Sequence, residues 1–546
     1  MSEHRMKTIY YNGRVYTGEL PLLQAFAVEG NRFLLVGEDA QVLRLAGTDD
    51  HLIDLAGHFV CAGFNDSHMH LLNYGQSLYC APLASHTFSL SGLLAYLKEY
   101  LQTHPVGDSQ WLTGRGWNQD YFSDVQRMPD RHDLDDISDD IPIMITRACG
   151  HCCVVNSRAL ALAGIGPDTQ DPDGGSIGRE NGQPDGRLYD NAMDLLNGIL
   201  PVPGKEQIKE MIRLACAELN RCGITSAQTD DYFVFRTIPF ETINAAYHEL
   251  EAAGELRVRI YEQSFFTTLE DLRRFVEAGN STGTGSDMFR IGPLKLVGDG
   301  ALGSRTAHLS VPYADDESNC GFSLFSAEQM NAMVSYAHSH GMQIAIHAIG
   351  DACLDQALDA VSLALEQTPR ADHRHGVVHC QVSRPDQLAR IRDLHMHVYA
   401  QSIFLDYDNH IVHRLLTPEL AASSYSWKTL LHNGVSVSNG SDCPVELPDV
   451  MAGIECAVTR RSLDGTGPYL PHEAFTVQEA LDSFTVRSSE ASFDEKRKGR
   501  IQEGYLADFV ILGQDPFLCE PRQLHRIPVL ATYLNGSCVY SSAPST

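Results

Sequence analysis

Eight short apolar runs alternate with amphipathic stretches along the middle of this chain, and that alternation narrows the possible folds more than any other feature. The runs cover residues 59–64, 224–228, 258–262, 294–297, 343–346, 376–378, 398–401 and 435–438. Helix-like segments lie between them, among them 206–220, 269–278, 327–340 and 352–366. Strand–helix alternation predicts a parallel sheet with helices packed on its outside. Eight repeats predict closure into an α/β (β/α)8 barrel, a TIM-like barrel whose chemistry sits at the C-terminal strand ends.

The two chain ends have a different texture. Residues 8–11, 14–17, 25–28 and 32–36 read as short strands, with Asn12-Gly13 as a hairpin signal. Residues 507–512, 529–534 and 538–540 read as strands at the other end. Neither end can bury a core alone, so residues 1–60 and 497–546 are expected to form one composite β-sandwich around a barrel of residues 61–496. The stretch 75–220 is too long for a βα connection. It is expected to be an inserted α+β segment, with Asp171-Pro172-Asp173-Gly174-Gly175 as an excursion over the barrel mouth.

Composition restricts the partners. With 546 residues, 43% of them hydrophobic, the chain can bury one large core and a smaller one. A formal net charge of -29 argues against nucleic acid and against anionic membrane surfaces. No uncharged apolar run approaches the length of about 18 residues that a membrane span needs. The N-terminal residues carry no apolar signal region, and the 14 cysteines form no disulfide framework, so a cytoplasmic protein with reduced thiols is expected. Cys149, Cys152 and Cys153 cluster around His151, but no second cluster completes a structural zinc site.

Polar residues of the same chemical kind interrupt the apolar runs at their C-terminal ends. His68 and His70 stand two apart after the first run, so a strand points both imidazoles to one face. Lys295 lies inside the fourth run, His347 ends the fifth, His379 the sixth, and Asp442 follows the eighth. Each has an ordinary reading: core histidines, a helix cap at Asp442, an ion pair of Lys295 with Asp299. Together they compose a site for two divalent ions, zinc first, with manganese, iron or cobalt as alternatives. Carboxylation of Lys295 would turn its amine into an anionic bridge between the metals. Water on such metals becomes hydroxide near neutral pH, and Asp442 would act as its general base. Hydrolytic attack on an amide or a related carbon follows.

These residues resemble the amidohydrolase superfamily, specifically its YtcJ-like branch. The motifs are Phe64-Asn65-Asp66-Ser67-His68-Met69-His70, Lys295 through Asp299-Gly300-Ala301-Leu302-Gly303-Ser304-Arg305, Ile346-His347-Ala348-Ile349-Gly350-Asp351 and Gly440-Ser441-Asp442-Cys443-Pro444-Val445. Gly150-His151 through Leu160 and Gly504 through Val510 also match. The resemblance implies a barrel hydrolase with a composite sandwich and one or two metals. It assigns one metal to His68, His70 and Asp442, the other to His347 and His379, with Lys295 bridging. It implies a small-molecule substrate and a homodimer. Because relatives include N-substituted formamide deformylases, it favours amide carbon–nitrogen bonds. Esters, lactones, carbamates, cyclic imides and deamination remain alternatives, as does a non-catalytic metal-binding regulatory protein. His151, Arg305 and Trp117 are candidates for contacting substrate, Trp117 together with Trp111 and Tyr121; the ordinary readings are an ion pair of Arg305 with a nearby carboxylate and packing of the three aromatics in the insert's own small core.

Overall fold

The computed structural model describes residues 6–104, 111–147, 152–172, 175–196, 198–235 and 237–543. The chain divides into two compact units, Met1–Asn73 with Ala215–Thr546, and Tyr74–Leu214.

The first unit contains an eight-stranded parallel sheet: β1 (Phe64–Met69), β2 (Ile224–Thr229), β3 (Arg259–Phe265), β4 (Phe289–Val297), β5 (Ile344–Ala348), β6 (Gly376–His379), β7 (His397–Ala400) and β8 (Val437–Asn439). Each strand pairs in parallel with the next, in chain order. The helices Phe240–Ala252, Leu269–Glu277, Ala327–Ser339, Asp351–Gln367 and Pro385–Asp393 connect successive strands, as a parallel barrel requires. The edge strands β1 and β8 meet just past their C-terminal ends. Asp442 N–H donates to His68 O at 2.8 Å, and His70 N–H donates to Cys443 O at 2.7 Å. The buried Asp66 carboxylate accepts the Ser441 backbone N–H at 3.1 Å and its hydroxyl at 2.5 Å.

One expected strand is really two. Residues 59–64 do not enter the barrel together; Phe59–Ala62 pairs antiparallel with Phe509–Leu512, and β1 starts only at Phe64. Gly63 is the hinge, its N–H donating to Asp508 O at 3.0 Å. A Cβ there would sit 2.3 Å from Thr225 Oγ1, so only glycine lets the chain pass so close to β2. Both halves are buried, which makes them look like one run.

Phe59–Ala62 belongs to a five-stranded sheet with Arg14–Val15, Phe509–Leu512, Val529–Leu534 and Ser537–Ser541, so both chain ends contribute to it. A second sheet has four strands from the N-terminal end alone, Lys7–Tyr11, Ala25–Glu29, Arg32–Gly37 and His51–Asp54. Aromatic rings make the core of this sandwich. Tyr10 stacks on Phe26 at 4.7 Å, and Phe509 stacks on Tyr533 at 4.4 Å. Asn12-Gly13 does not close a hairpin: Lys7–Tyr11 and Arg14–Val15 lie in different sheets, and the turn carries the chain from one to the other.

The second unit has its own six-stranded sheet, ordered Gly175–Glu180, Gln183–Asp190, Cys152–Val155, Ile143–Arg147, Leu112–Trp117 and Ala81–Pro82. Among the described residues, no helix is long and apolar enough to cross a membrane.

At the N-terminal ends of β5 and β6, a chain of neutral histidines joins neighbouring elements. Ile344 N–H donates to His375 Nδ1 at 3.1 Å, and His375 Nε2 lies 2.8 Å from His338 Nδ1. His375 N–H donates to His373 Nδ1 at 2.9 Å, and His373 Nε2 meets Leu394 O at 3.0 Å. Burial pushes the His373 imidazole down to about 4, with the Arg370 guanidinium, His338 and His395 adding to the effect against the Leu394 carbonyl. The unfolded chain therefore binds more protons between about pH 6.5 and 4, and stability falls as pH drops through that window. Urea midpoints from pH 7 to 5 should fall less steeply in His373→Asn than in the parent.

The seam makes a second prediction. A Cβ at Gly440 would lie 2.6 Å from His68 N and 2.7 Å from His68 O, so Gly440→Ala forces β1 and β8 apart. A loss of about 2 kcal/mol or more is expected in urea unfolding. Gly166→Ala, where a Cβ meets nothing within 4 Å, should change little.

Candidate metal centre

The C-terminal ends of β1, β5, β6 and β8 converge on one group of side chains. His68 is the penultimate residue of β1 and His70 follows the strand. Asp442 Oδ1 lies 3.1 Å from His70 Nε2 and 3.3 Å from His68 Nε2, and neither approach has hydrogen-bond geometry. His379 Nε2 is 4.0 Å from Asp442 Oδ2 and 2.9 Å from His347 Nδ1. His68, His379 and Asp442 each offer a ligand atom, all within 4.8 Å of one another. This trio differs from the grouping that the resemblance implied, since it joins His379 rather than His70 to His68 and Asp442.

Backbone geometry aims two of these groups. His379 has φ 74 and Asp442 has φ 58, left-handed values that cost side-chain-bearing residues energy. Trp427 Nε1–H holds the His379 carbonyl at 3.0 Å, and the β1–β8 seam holds Asp442. Cys380, also left-handed at φ 48, is fully buried, and burial pushes its thiol up to about 12, so it packs as a neutral thiol.

The donor set suits a divalent cation. Burial, then the Lys295 ammonium, pushes His68 down to about 4. Burial and the neighbouring His347 keep His379 well below the usual imidazole range. Both imidazoles are thus in the neutral form that ligates metal. Burial opposes ionisation of Asp442, but His68 and His70 outweigh it and hold the carboxyl well below its usual range. Neutral imidazoles around an anionic oxygen, at these separations, fit zinc or a similar ion.

Lys295, on β4, is 1% exposed, and its Nζ lies 3.5 Å from Asp230 Oδ2. The expected alternative partner, Asp299, is engaged elsewhere. It accepts the backbone N–H groups of Ile349 at 3.0 Å and of Gly350 and His308 at 2.8 Å. Asp230 immediately follows β2 and was not singled out in the sequence, although a carboxylate at a barrel strand end is the available signal. Gln263 on β3 and Gln401 after β7 were missed as well. Gln263 Oε1 lies 2.7 Å from His68 Nδ1, and Gln401 Oε1 lies 2.7 Å from His379 Nδ1.

The three substrate-contact candidates fare differently. The Arg305 fork is taken by Asp315, at 3.0 Å to Oδ1 and 2.6 Å to Oδ2. Trp117 is fully buried in the core of its own unit with Leu93, Leu97 and Ile145, its indole N–H donating to Ile145 O at 3.1 Å. That packing makes Trp117 a core side chain of its own unit, the ordinary reading of this residue. Trp111 packs in a neighbouring cluster of the same unit, and Tyr121 is exposed. His151 and Cys149 lie outside the described residues.

A parallel barrel that gathers imidazoles, a buried lysine and a carboxylate at its C-terminal mouth defines a metal-dependent hydrolase. The chain belongs to the amidohydrolase family, whose model matches residues 51–540. It falls in the YtcJ-like branch, being 32% identical to the putative amidohydrolase YtcJ of Bacillus subtilis over 98% of this chain and 100% of that one. The N-substituted formamide deformylase of Arthrobacter pascens is 27% identical over 96% of each chain. Among solved structures, an uncharacterized metal-dependent hydrolase from Pyrococcus furiosus superposes with a TM-score of 0.77 and 28% identity, over 94% of this chain and 100% of that one.

Removing Asp230 leaves the buried Lys295 ammonium without its counter-ion. Asp230→Ala should cost the metal-free protein on the order of 3 kcal/mol, and Lys295→Met added to it should recover part of that loss. Urea unfolding of the two single variants and the double variant reads the coupling.

Proposed function

We propose that the chain hydrolyses an amide-type carbon–nitrogen bond in a small-molecule substrate, with Asp442 as general base beside one or two divalent ions, zinc first. The observation that carries this reading is the meeting of four imidazoles with the buried, ionised Asp442 carboxylate at one barrel mouth. Similarity to a formamide deformylase supports the choice of bond. When bound, divalent ions supply Lewis acidity and lower the pKa of water.

The chain's own side chains do the rest. His68, His70 and Asp442 offer donors for one ion, His347 and His379 for the other. Asp442 takes a proton from the attacking water at a carboxylate oxygen and delivers it to the departing nitrogen. Its ionised state before reaction suits the first half of that task. Burial of His68 and His379 keeps them neutral, so they do not compete for the proton. Lys295, if carboxylated, becomes an anionic bridge; its pairing with Asp230 belongs to the free-amine form.

Elemental mass spectrometry on protein purified without chelator should find about two equivalents of metal per chain, or about one if the site is mononuclear. Asp442→Asn should lower turnover of a panel of N-substituted amides and formamides by about 1,000-fold or more while the protein stays folded. Undiminished turnover in Asp442→Asn would remove Asp442 from the mechanism, and protein that takes up no metal would remove the hydrolase reading.

A further inference from the structure

Two glutamine side chains, far apart in the sequence, make the same contact. Gln263 Oε1 lies 2.7 Å from His68 Nδ1 while its Nε2 donates to Ser67 O at 3.1 Å. Gln401 Oε1 lies 2.7 Å from His379 Nδ1 while its Nε2 donates to Tyr399 O at 2.9 Å. A backbone carbonyl can only accept, so the amide nitrogen must face it and the amide oxygen must face the imidazole. That oxygen in turn accepts, so Nδ1 must carry the proton. Nε2 of each ring is then the nitrogen left free to ligate, and it faces Asp442 at 3.3 Å from His68 and 4.0 Å from His379.

His347 reaches the same end by the opposite nitrogen. Its Nε2 lies 3.2 Å from Gly300 O and 3.4 Å from Asp299 Oδ1, both acceptors, so the proton is on Nε2. Its Nδ1 then faces His379 Nε2 across 2.9 Å. With both rings neutral two lone pairs would meet there, and a proton or a metal cation between the rings would satisfy both. The glutamines are buried at 0% exposure, so water cannot take over the acceptor role.

We propose that Gln263 and Gln401 are positioning residues that lock His68 and His379 in the Nδ1–H tautomer, so that the centre is arranged to receive metal before any metal arrives. This deepens the metal-dependent reading above and rests on it. An imidazole with a free choice of tautomer would present a proton to the ion part of the time. A fixed acceptor behind each ring removes that choice and fixes the ring plane.

The test uses the metal-free full chain and zinc alone. In nitrogen-15 spectra of the apoprotein, His68 and His379 should be Nδ1–H tautomers. Gln401→Leu should shift His379 to a tautomer mixture and weaken zinc binding, read by chelator competition, about 10- to 100-fold. Gln401→Glu keeps an acceptor and should restore both the tautomer and an affinity within about threefold of the parent. A side chain needed only for packing would not show that rescue. Gln263→Leu asks the same question of His68, so loss of folding in one leucine variant leaves the other decisive. Parental tautomers and zinc affinity in both leucine variants would overturn the proposal while leaving the hydrolase reading intact. Failure of the parent chain to bind zinc, cobalt or manganese would overturn that reading instead, and with it the role given to the glutamines.

Discussion

The seam between β1 and β8 is the constraint on which the site depends. The backbone bonds that join the first and last strands run from Asp442 N–H to His68 O and from His70 N–H to Cys443 O, at 2.8 and 2.7 Å. Three proposed ligands therefore belong to the very residues that close the barrel. The metal centre cannot form in an open sheet, and a one-residue slip at the seam would turn His68 away from Asp442. Asp66 stabilises this register by accepting two donors from Ser441 and the His68 N–H at 3.2 Å. Burial pushes its carboxyl up to about 7 even against those donors. Gly440 has no side chain because the His68 backbone fills that space.

What the sequence revealed follows from this layout. Barrel strands are buried on both faces, so they appear as short apolar runs, and the proposed ligands appear as the polar residues that break them. All eight expected runs overlap barrel strands, the first only at Phe64, and the six expected ligand positions stand inside β4, at strand ends or just past them. The failure at Gly63 has the same cause, since Phe59–Ala62 and β1 are equally buried and no polar residue marks the change of sheet. The supporting residues were hidden for another reason. Gln263 meets His68 across 195 positions, and its role depends on strand register, which no local pattern records. Arg305 shows a case the sequence left open: its fork suits a substrate anion or a neighbouring carboxylate alike, and Asp315, ten residues on, occupies it.

Electrostatics tie these parts together. Although Asp442 raises His70 against its burial, His68 and His379 stand neutral in the centre of a chain that carries an excess of 29 negative charges. That is what a cation site requires, because protonated histidines would repel the ion they are meant to hold. Neutrality comes from burial, and burial comes from barrel closure, so the seam governs charge state as well as geometry.

Lys295 is the point where the balance is still adjustable. As an ammonium it is a cation 3.5 Å from Asp230, and it lowers the proton affinity of His68. As a carbamate it would be an anion in the same place, a change of two charge units inside a low-dielectric barrel. Asp230, now its counter-ion, would become a like charge and would have to turn toward a new partner. His70 is the nearest one available, with Nδ1 4.0 Å from Asp230 Oδ2. The carboxylate next to the lysine thus stabilises the free-amine form, and any carboxylation of Lys295 would have to overcome the opposition of Asp230.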